Sequence, residues 1–318
     1  MSSKERVKVF DCTIRDGGLI NNWQFSEEMV RETCKAVFAA GLDYMEIGYR
    51  ASKKVFSPQE FGPWRFCDED VIRRVTRGLP GQTKLAVMVD VGRVETEDIL
   101  PKAESVLSAI RVATYLHQID EAVELANHIS GKGYETFINI MAISHGKPGE
   151  IDAALEKIEA QTSVTAVNIV DSFGALYCSD VKSLIFRYRM NLKSKKVGIH
   201  AHNNQQLAFA NTIEAINNDT DFLDATIYGI GRAAGNCPLE LIVAYLEQPR
   251  FKLIPILQVI SSTFVPLREK IEWGYLIPYM ITGIKNMHPR KAMALLGSER
   301  RNEFSDFYEE IINSMESA

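Results

Sequence analysis

The 318-residue chain is poor in cysteine: it has five, Cys12, Cys34, Cys67, Cys178 and Cys237, spread far apart and without a Cys-x-x-Cys pair. An odd, scattered set excludes a disulfide-stapled scaffold and reads as reduced thiols in a cytoplasmic protein. No apolar run approaches the length of a membrane span. The opening Met-Ser-Ser-Lys-Glu-Arg is followed by only a short apolar stretch, so no secretion signal is expected. Basic residues are not in excess: 36 Lys and Arg stand against 41 Asp and Glu, a net charge of −5. Without a basic field, neither nucleic acid nor a membrane is an expected partner.

What is present is a repeat. With 46% hydrophobic residues the chain can bury a large core. Short apolar or β-branched runs alternate with longer amphipathic stretches. Strands are expected at 7–11, 44–48, 84–89, 109–112, 136–141, 166–170, 197–200 and 225–228. Helices are expected at 27–40, 69–77, 95–105, 119–129, 151–160, 181–189, 205–216 and 238–246, several with capping residues such as Ser26. Alternation of this kind means parallel strands joined by helical crossovers. Eight units close most naturally into an α/β fold, the (β/α)8 TIM barrel, of about 250 residues. An open doubly wound sheet would predict Gly-x-Gly-x-x-Gly after the first strand, which Asp16-Gly17-Gly18 does not match. The catalytic barrel is expected over 1–247, and 248–318 as a helical C-terminal extension.

Polar residues gather at the expected C-terminal ends of the strands, where barrels of this type carry their active sites. Arg15 and Asp16 follow the first strand, Glu46 lies on the second, His145 follows the fifth, Ser172 the sixth, and His200 and His202 end the seventh. Residues two apart on a strand share a face, so His200 and His202 converge. Asp16 would complete a carboxylate and two imidazoles, a donor set that suits a catalytic divalent metal.

Three ordered motifs carry a family resemblance: Thr13-Ile14-Arg15-Asp16-Gly17, His200-Ala201-His202-Asn203, and Gly229-Ile230-Gly231-Arg232-Ala233-Ala234-Gly235-Asn236. Over residues 7 to about 245 the chain resembles the DRE-TIM metallolyases, the superfamily of HMG-CoA lyase. It is most similar to the branch of 4-hydroxy-2-oxovalerate aldolase, whose Gly-Asn-Ala-Pro-Leu-Glu looks like Gly235-Asn236-Cys237-Pro238-Leu239-Glu240. The resemblance implies an aldolase, a carbon–carbon lyase that cleaves a 4-hydroxy-2-oxo acid to pyruvate and an aldehyde, or runs the reverse condensation. It implies Mn²⁺ or Mg²⁺ on Asp16, His200 and His202, with Asn236 as a further ligand or partner. Arg15 would face the keto oxygen of the 2-oxo acid, held by Thr13 and Glu46, with Ser172 also on the substrate-binding side. It also raises an aldehyde dehydrogenase partner, whereas the aromatic-rich composition of the tail reads equally as a subunit interface of a homo-oligomer.

The chain departs from that branch at Leu19, where the aldolases carry a histidine taken to accept the C4 hydroxyl proton. His145 and Tyr275 are the candidates to replace it, the latter from Glu272-Trp273-Gly274-Tyr275 in the tail. Asn286-Met287-His288-Pro289-Arg290, which follows, is not assigned a counterpart in the branch. Two other functions remain open at this point: an acyl-CoA-dependent Claisen synthase or lyase of the same superfamily, and a non-catalytic barrel acting as a binding or scaffold subunit.

Overall fold

The computed structural model describes residues 4, 7–246 and 249–316. Eight strands form a closed barrel in chain order: β1 (Lys8–Asp11), β2 (Tyr44–Tyr49), β3 (Lys84–Asp90), β4 (Ala109–Thr114), β5 (Glu135–Ile140), β6 (Ala166–Asp171), β7 (Lys196–Ala201) and β8 (Phe222–Ala225). Every neighbouring pair is parallel, and β8 returns to β1 with Lys8 opposite Phe222 and Asp11 opposite Ala225. The helices are α1 (Thr13–Gly17), α2 (Glu27–Ala40), α3 (Glu69–Thr76), α4 (Ile119–Gly131), α5 (Pro148–Gln161), α6 (Cys178–Asn191), α7 (Ala208–Asn217) and α8 (Leu239–Leu246). The capping signals act locally. Ser26 Oγ accepts from Met29 N at 3.2 Å to open α2, and Gly41, at φ 76°, ends it in the left-handed conformation that costs glycine least.

Two expectations fail. Residues 95–105 make no α-helix; two short 3₁₀ turns, Thr96–Asp98 and Lys102–Glu104, flank Pro101. Proline lacks the N–H a helix needs and biases the residue before it to extended backbone. The eighth strand lies at Phe222–Ala225, three residues before its expected place. Thr226 leaves the sheet because its N–H donates to the Cys237 carbonyl.

Period-two alternation sorts the barrel interior into layers. The floor is Phe10, Tyr44, Phe137 and Phe222 with Cys12, Ala86, Ala109 and Ala166, all buried. Phe10 stacks on Tyr44 with ring centroids 4.1 Å apart, and Phe137 meets Phe222 edge-on at 5.1 Å. Large rings beside alanines close the bottom, so what faces the same way two and four residues later rises towards the open end.

Beyond α8, the boundary expected at 247/248 lies outside the described residues. Helix α9 (Leu253–Val259) packs on α2, so the start of the tail belongs to the barrel's outer layer. After a short α10 (Val265–Arg268), helices α11 (Ile277–Ile284), α12 (Arg290–Leu296) and α13 (Phe304–Glu316) share a small core of Ile281, Ala292, Leu295, Phe307 and Ile311. The connections hang this unit over the barrel mouth. Asn204, after β7, donates to the Tyr279 carbonyl, and Ser144, after β5, donates from its hydroxyl to Asn286 Oδ1 at 2.6 Å.

Candidate active site

Above the aromatic floor lies a buried charged layer. Arg111, fully buried on β4, donates through Nη2 to Asp224 Oδ2 on β8 at 2.6 Å and through Nη1 to Glu46 Oε2 on β2 at 3.2 Å. Each carboxylate holds a further residue. Glu46 Oε2 accepts from Arg15 Nε at 2.7 Å, and Asp224 Oδ2 accepts from His200 Nδ1 at 2.9 Å. The chain Arg15–Glu46–Arg111–Asp224–His200 thus crosses the barrel and fixes an arginine and a histidine together. The bonds that link these five buried polar groups offset part of the cost of burying them.

The next layer up converges on a point. Asp16 Oδ2 lies 3.6 Å from His200 Nε2 and 4.0 Å from His202 Nε2. His202 Nδ1 sits 3.2 Å from the Gly235 carbonyl, which only accepts, so Nδ1 carries the proton and the Nε2 lone pair is free. His200 is fixed the same way by Asp224, and its buried Nε2 has no hydrogen-bond partner. Cis ligands at about 2.1 Å from an octahedral ion are about 3 Å apart, so a small inward shift brings these atoms onto one cation. The donor set therefore fits a divalent metal. Asn236 completes the surround: its Nδ2 donates to Asp16 Oδ1 at 2.9 Å, leaving its buried Oδ1 without a partner. Gly231 makes this approach possible, since a Cβ there would lie 2.0 Å from Asn236 Nδ2 and 2.6 Å from Asp16 Oδ1.

The electrostatics agree. Burial alone would raise the Asp16 carboxyl, but Arg15, His202 and His200 outweigh it and hold the group well below the usual carboxylate range. Burial drives the His202 imidazole well below its ordinary value, so it stays neutral and able to ligate. For His200 burial lowers the pKa, yet the facing Asp16 carboxylate and the hydrogen-bonded Asp224 carboxylate win and raise it. The negative charges that draw a proton to that nitrogen draw a cation equally well. Arg15 is held charged by Glu46 and Asp16 against the cost of burial, and its buried Nη2 is unpartnered.

Asp16, Arg15, His200 and His202 line one cavity of about 610 Å³ at the C-terminal ends of the strands. A family model described as HMGL-like matches residues 6–261. The chain belongs to the HMGL-like family. An oxaloacetate decarboxylase of Mycobacterium tuberculosis is 32% identical over 76% of this chain and 70% of its own length. A 4-hydroxy-2-oxovalerate aldolase of Thermus thermophilus is 28% identical over 86% of this chain and 82% of its own. Among solved structures, the N-terminal domain of a Bacteroides vulgatus protein superposes with a TM-score of 0.81 at 33% identity, covering 91% of this chain and 96% of that one.

Against this HMGL-like frame the other sequence candidates divide. Glu46 does hold Arg15. Thr13 does not touch it; its hydroxyl donates to Asp11 and accepts from Ile227 N at 2.8 Å, tying β1 to the segment after β8. Ser172 lines the cavity, with its Oγ accepting from Ala142 N at 2.8 Å. Leu19 also lines it, which sets an apolar side chain in the cavity wall. His145 is not part of the cavity wall: it is exposed, and its Nε2 donates to the Asn286 carbonyl at 2.7 Å. Tyr275 is half exposed and likewise outside the wall. Sequence reasoning missed Arg111 and Asp224, although a charge inside an apolar strand such as Ile110-Arg111-Val112 signals a buried partner. It also missed Arg65, whose guanidinium lies 3.9 to 4.5 Å from the ring centroids of Phe56, Tyr49 and Trp23 in the cavity wall.

Proposed function

We propose that this chain is a divalent-metal-dependent carbon–carbon lyase that cleaves a 4-hydroxy-2-oxo acid to pyruvate and an aldehyde, or catalyses the reverse condensation. The observation that carries the reading is the unpartnered Nη2 of Arg15, buried next to Asp16 and the two histidines. Breaking the C3–C4 bond leaves the bond's electron pair on the pyruvate fragment as an enolate, and Arg15 offers a fixed, charged donor to the oxygen that gains charge. Asp16, His200 and His202, with Asn236 beside them, would hold Mn²⁺ or Mg²⁺. A divalent ion bound there supplies Lewis-acid stabilisation of the same charge. Glu46 and Arg111 keep the Arg15 guanidinium from turning away, and Trp23 covers it by donating from Nε1 to the Arg15 carbonyl at 3.0 Å. Proton delivery to the enolate carbon then completes pyruvate.

A second reaction of the same type is favoured by Leu19. Retro-aldol cleavage must remove the C4 hydroxyl proton, whereas loss of CO₂ from a 2-oxo acid with a C4 carboxylate makes the same enolate without any such step. An apolar side chain at this position suits decarboxylation, the reaction named for the Mycobacterium tuberculosis relative. The five thiols are free, which supports a reducing cytoplasmic setting. Among the described residues no helix is long and apolar enough to cross a membrane. Pyruvate release coupled to lactate dehydrogenase, with Mn²⁺ and with either 4-hydroxy-2-oxo acids or oxaloacetate, tests both reactions. Turnover of at least one that a chelator abolishes is the expected result; none with any substrate would remove the lyase reading.

A further inference from the structure

The net charge of the chain is negative, yet the cavity wall is rich in arginine: Arg15, Arg65, Arg93, Arg232 and Arg290 face it, against Asp16 and Asp90. Two of the five are matched. Arg15 pairs with Asp16 and Glu46, and Arg65 Nη2 lies 3.7 Å from Asp90 Oδ2. Arg93, Arg232 and Arg290 have no carboxylate within salt-bridge distance among the described residues. Arg232 is steered by one bond, Nη2 to the Ser172 carbonyl at 2.6 Å, and its buried Nε has no partner. It also sits close to the metal-ligand set, since its backbone N–H donates to Asp16 Oδ1 at 3.0 Å.

Arg290 comes from the tail segment Asn286-Met287-His288-Pro289-Arg290. That segment is clasped to the loop after β5. Asn286 accepts from Ser144 Oγ, donates from Nδ2 to the Ser144 carbonyl at 3.2 Å, and accepts at its own carbonyl from His145. The clasp delivers His288 and Arg290 to the cavity, with His288 edge-on to Phe173 at 5.9 Å. His288 Nδ1 accepts from Arg290 N at 3.1 Å, so the remaining ring N–H is a free donor. Burial, Arg232 and Arg290 together push its pKa down to about 4, which keeps the ring neutral between the two guanidiniums.

We infer that Arg232 and Arg290, with His288 between them, receive a second anionic group at the far end of the 2-oxo acid, so that the substrate is a 2-oxo dianion and not a 2-oxo acid with an apolar tail. The inference rests on the lyase reading for the near end of the substrate, where the 2-oxo carboxylate meets the metal-ligand set. Unmatched guanidiniums beside an open cleft raise the local concentration of anions and bind a carboxylate or phosphoryl group in a fork geometry. A neutral aldehyde fragment would use none of them. The same far-end anion serves both reactions of the previous section: it remains on the aldehyde fragment after retro-aldol cleavage, and it is the group lost in decarboxylation.

The test is calorimetric binding to the Mn²⁺-loaded full chain of two acids equal in length, 2-oxopentanoate and 2-oxoglutarate, and of the pair one methylene longer, 2-oxohexanoate and 2-oxoadipate. At least one dicarboxylate is expected to bind tenfold or more tighter than its monocarboxylate. Arg290→Gln should cut that ratio at least fivefold, while Arg290→Lys retains most of it. Replacing the distal carboxylate of 2-oxoglutarate by a phosphonate tells which anion is preferred, the tighter of the two naming the group. Equal affinities within both pairs, no binding by any of the acids, or a ratio unmoved in Arg290→Gln would each overturn the inference. A preserved ratio in a protein that releases pyruvate from nothing would remove the lyase reading alone.

Discussion

Replacing Arg111 by Met asks whether the buried charged layer holds the fold or aims the site. The side chain is fully buried, its guanidinium 4.5 Å from the Phe10 ring, with Asp224 at 2.6 Å and Glu46 at 3.2 Å. Methionine fills the stem but leaves two buried carboxylates without their common cation. Breaking one buried pair in this way costs about 3–5 kcal/mol, and the Asp224 carboxyl, held at about 2 mainly by Arg111 against burial, must rise. A protonated Asp224 no longer draws a proton from His200 Nδ1, so the imidazole loses the bond that sets its tautomer. Loss of such a supporting partner typically weakens a metal about 10–100-fold. Urea unfolding reports the first effect, and Mn²⁺ titration of the still-folded variant the second. Adding Asp224→Asn should restore part of the stability, because one orphaned charge is gone, without restoring metal affinity. A folded Arg111→Met protein that binds Mn²⁺ as tightly as the parent would refute the positioning argument and leave Arg111 as a structural ion.

Further outcomes follow from the same geometry. Arg15→Lys should lower kcat by about a hundredfold or more while KM moves less, since a point charge cannot keep Glu46 and the enolate oxygen on one planar fork; a raised KM at unchanged kcat would make Arg15 a ground-state binding group. Asp16→Asn and His200→Ala should both lose bound Mn²⁺ with the far-UV dichroism of the barrel intact, and full metal content in both would dispose of the ligand set. Asp11, fully buried, is raised to about 7 by burial, partly offset by hydrogen bonds from Thr13, so the folded chain keeps a proton that the unfolded chain releases near pH 4. Stability should therefore fall as pH rises through that window, by about 3 kcal/mol between pH 5 and pH 8. Asp11→Asn should flatten that part of the urea-midpoint profile, and an unchanged slope would show that Asp11 is ionised in the folded state.

The barrel was legible because its strands are short, apolar and evenly spaced, and because Ser26 and Gly41 mark a helix at both ends with groups that bond locally. The candidate metal ligands were legible for a related reason: His200 near the end of β7 and His202 one residue past it are two apart, and such a pair needs no knowledge of tertiary structure to share a face. Phe222-Leu223-Asp224-Ala225 was hidden because Asp224 breaks an already brief apolar run, and only the closed barrel shows that its carboxylate is matched by Arg111. The false helix at 95–105 had suitable composition, and Pro101 outweighed it. His145 looked like a catalytic base from its position after the fifth strand. Which way a loop histidine turns depends on what packs over it, and here that is Asn286, 141 residues away.

The layers also separate what makes the fold from what makes the chemistry. Four aromatic rings and four small residues fill the floor, so the barrel closes without help from any charged group above it. The middle layer, with Arg111 at its centre, carries charge where hydrophobic packing would be more stable, and its carboxylates lead to Arg15 on one side and His200 on the other. Such an arrangement is costly unless those two groups must be held at one fixed separation, which is what stabilising a single developing oxyanion requires. The top layer is built differently: its residues come from separate loops and from the tail, with Arg232 held by one side-chain bond to the Ser172 carbonyl and His288 by one from Arg290 N. Leu19, Arg232, His288 and Arg290 therefore can change without disturbing the enolate-forming centre. On the proposed reading, an enolate-forming centre below and an exchangeable rim above would let one barrel host either of the activities named for its relatives, an aldolase and a decarboxylase. In this chain the rim combines the apolar Leu19 with three arginines that have no carboxylate within salt-bridge distance among the described residues, and both features favour a substrate whose departing end is charged.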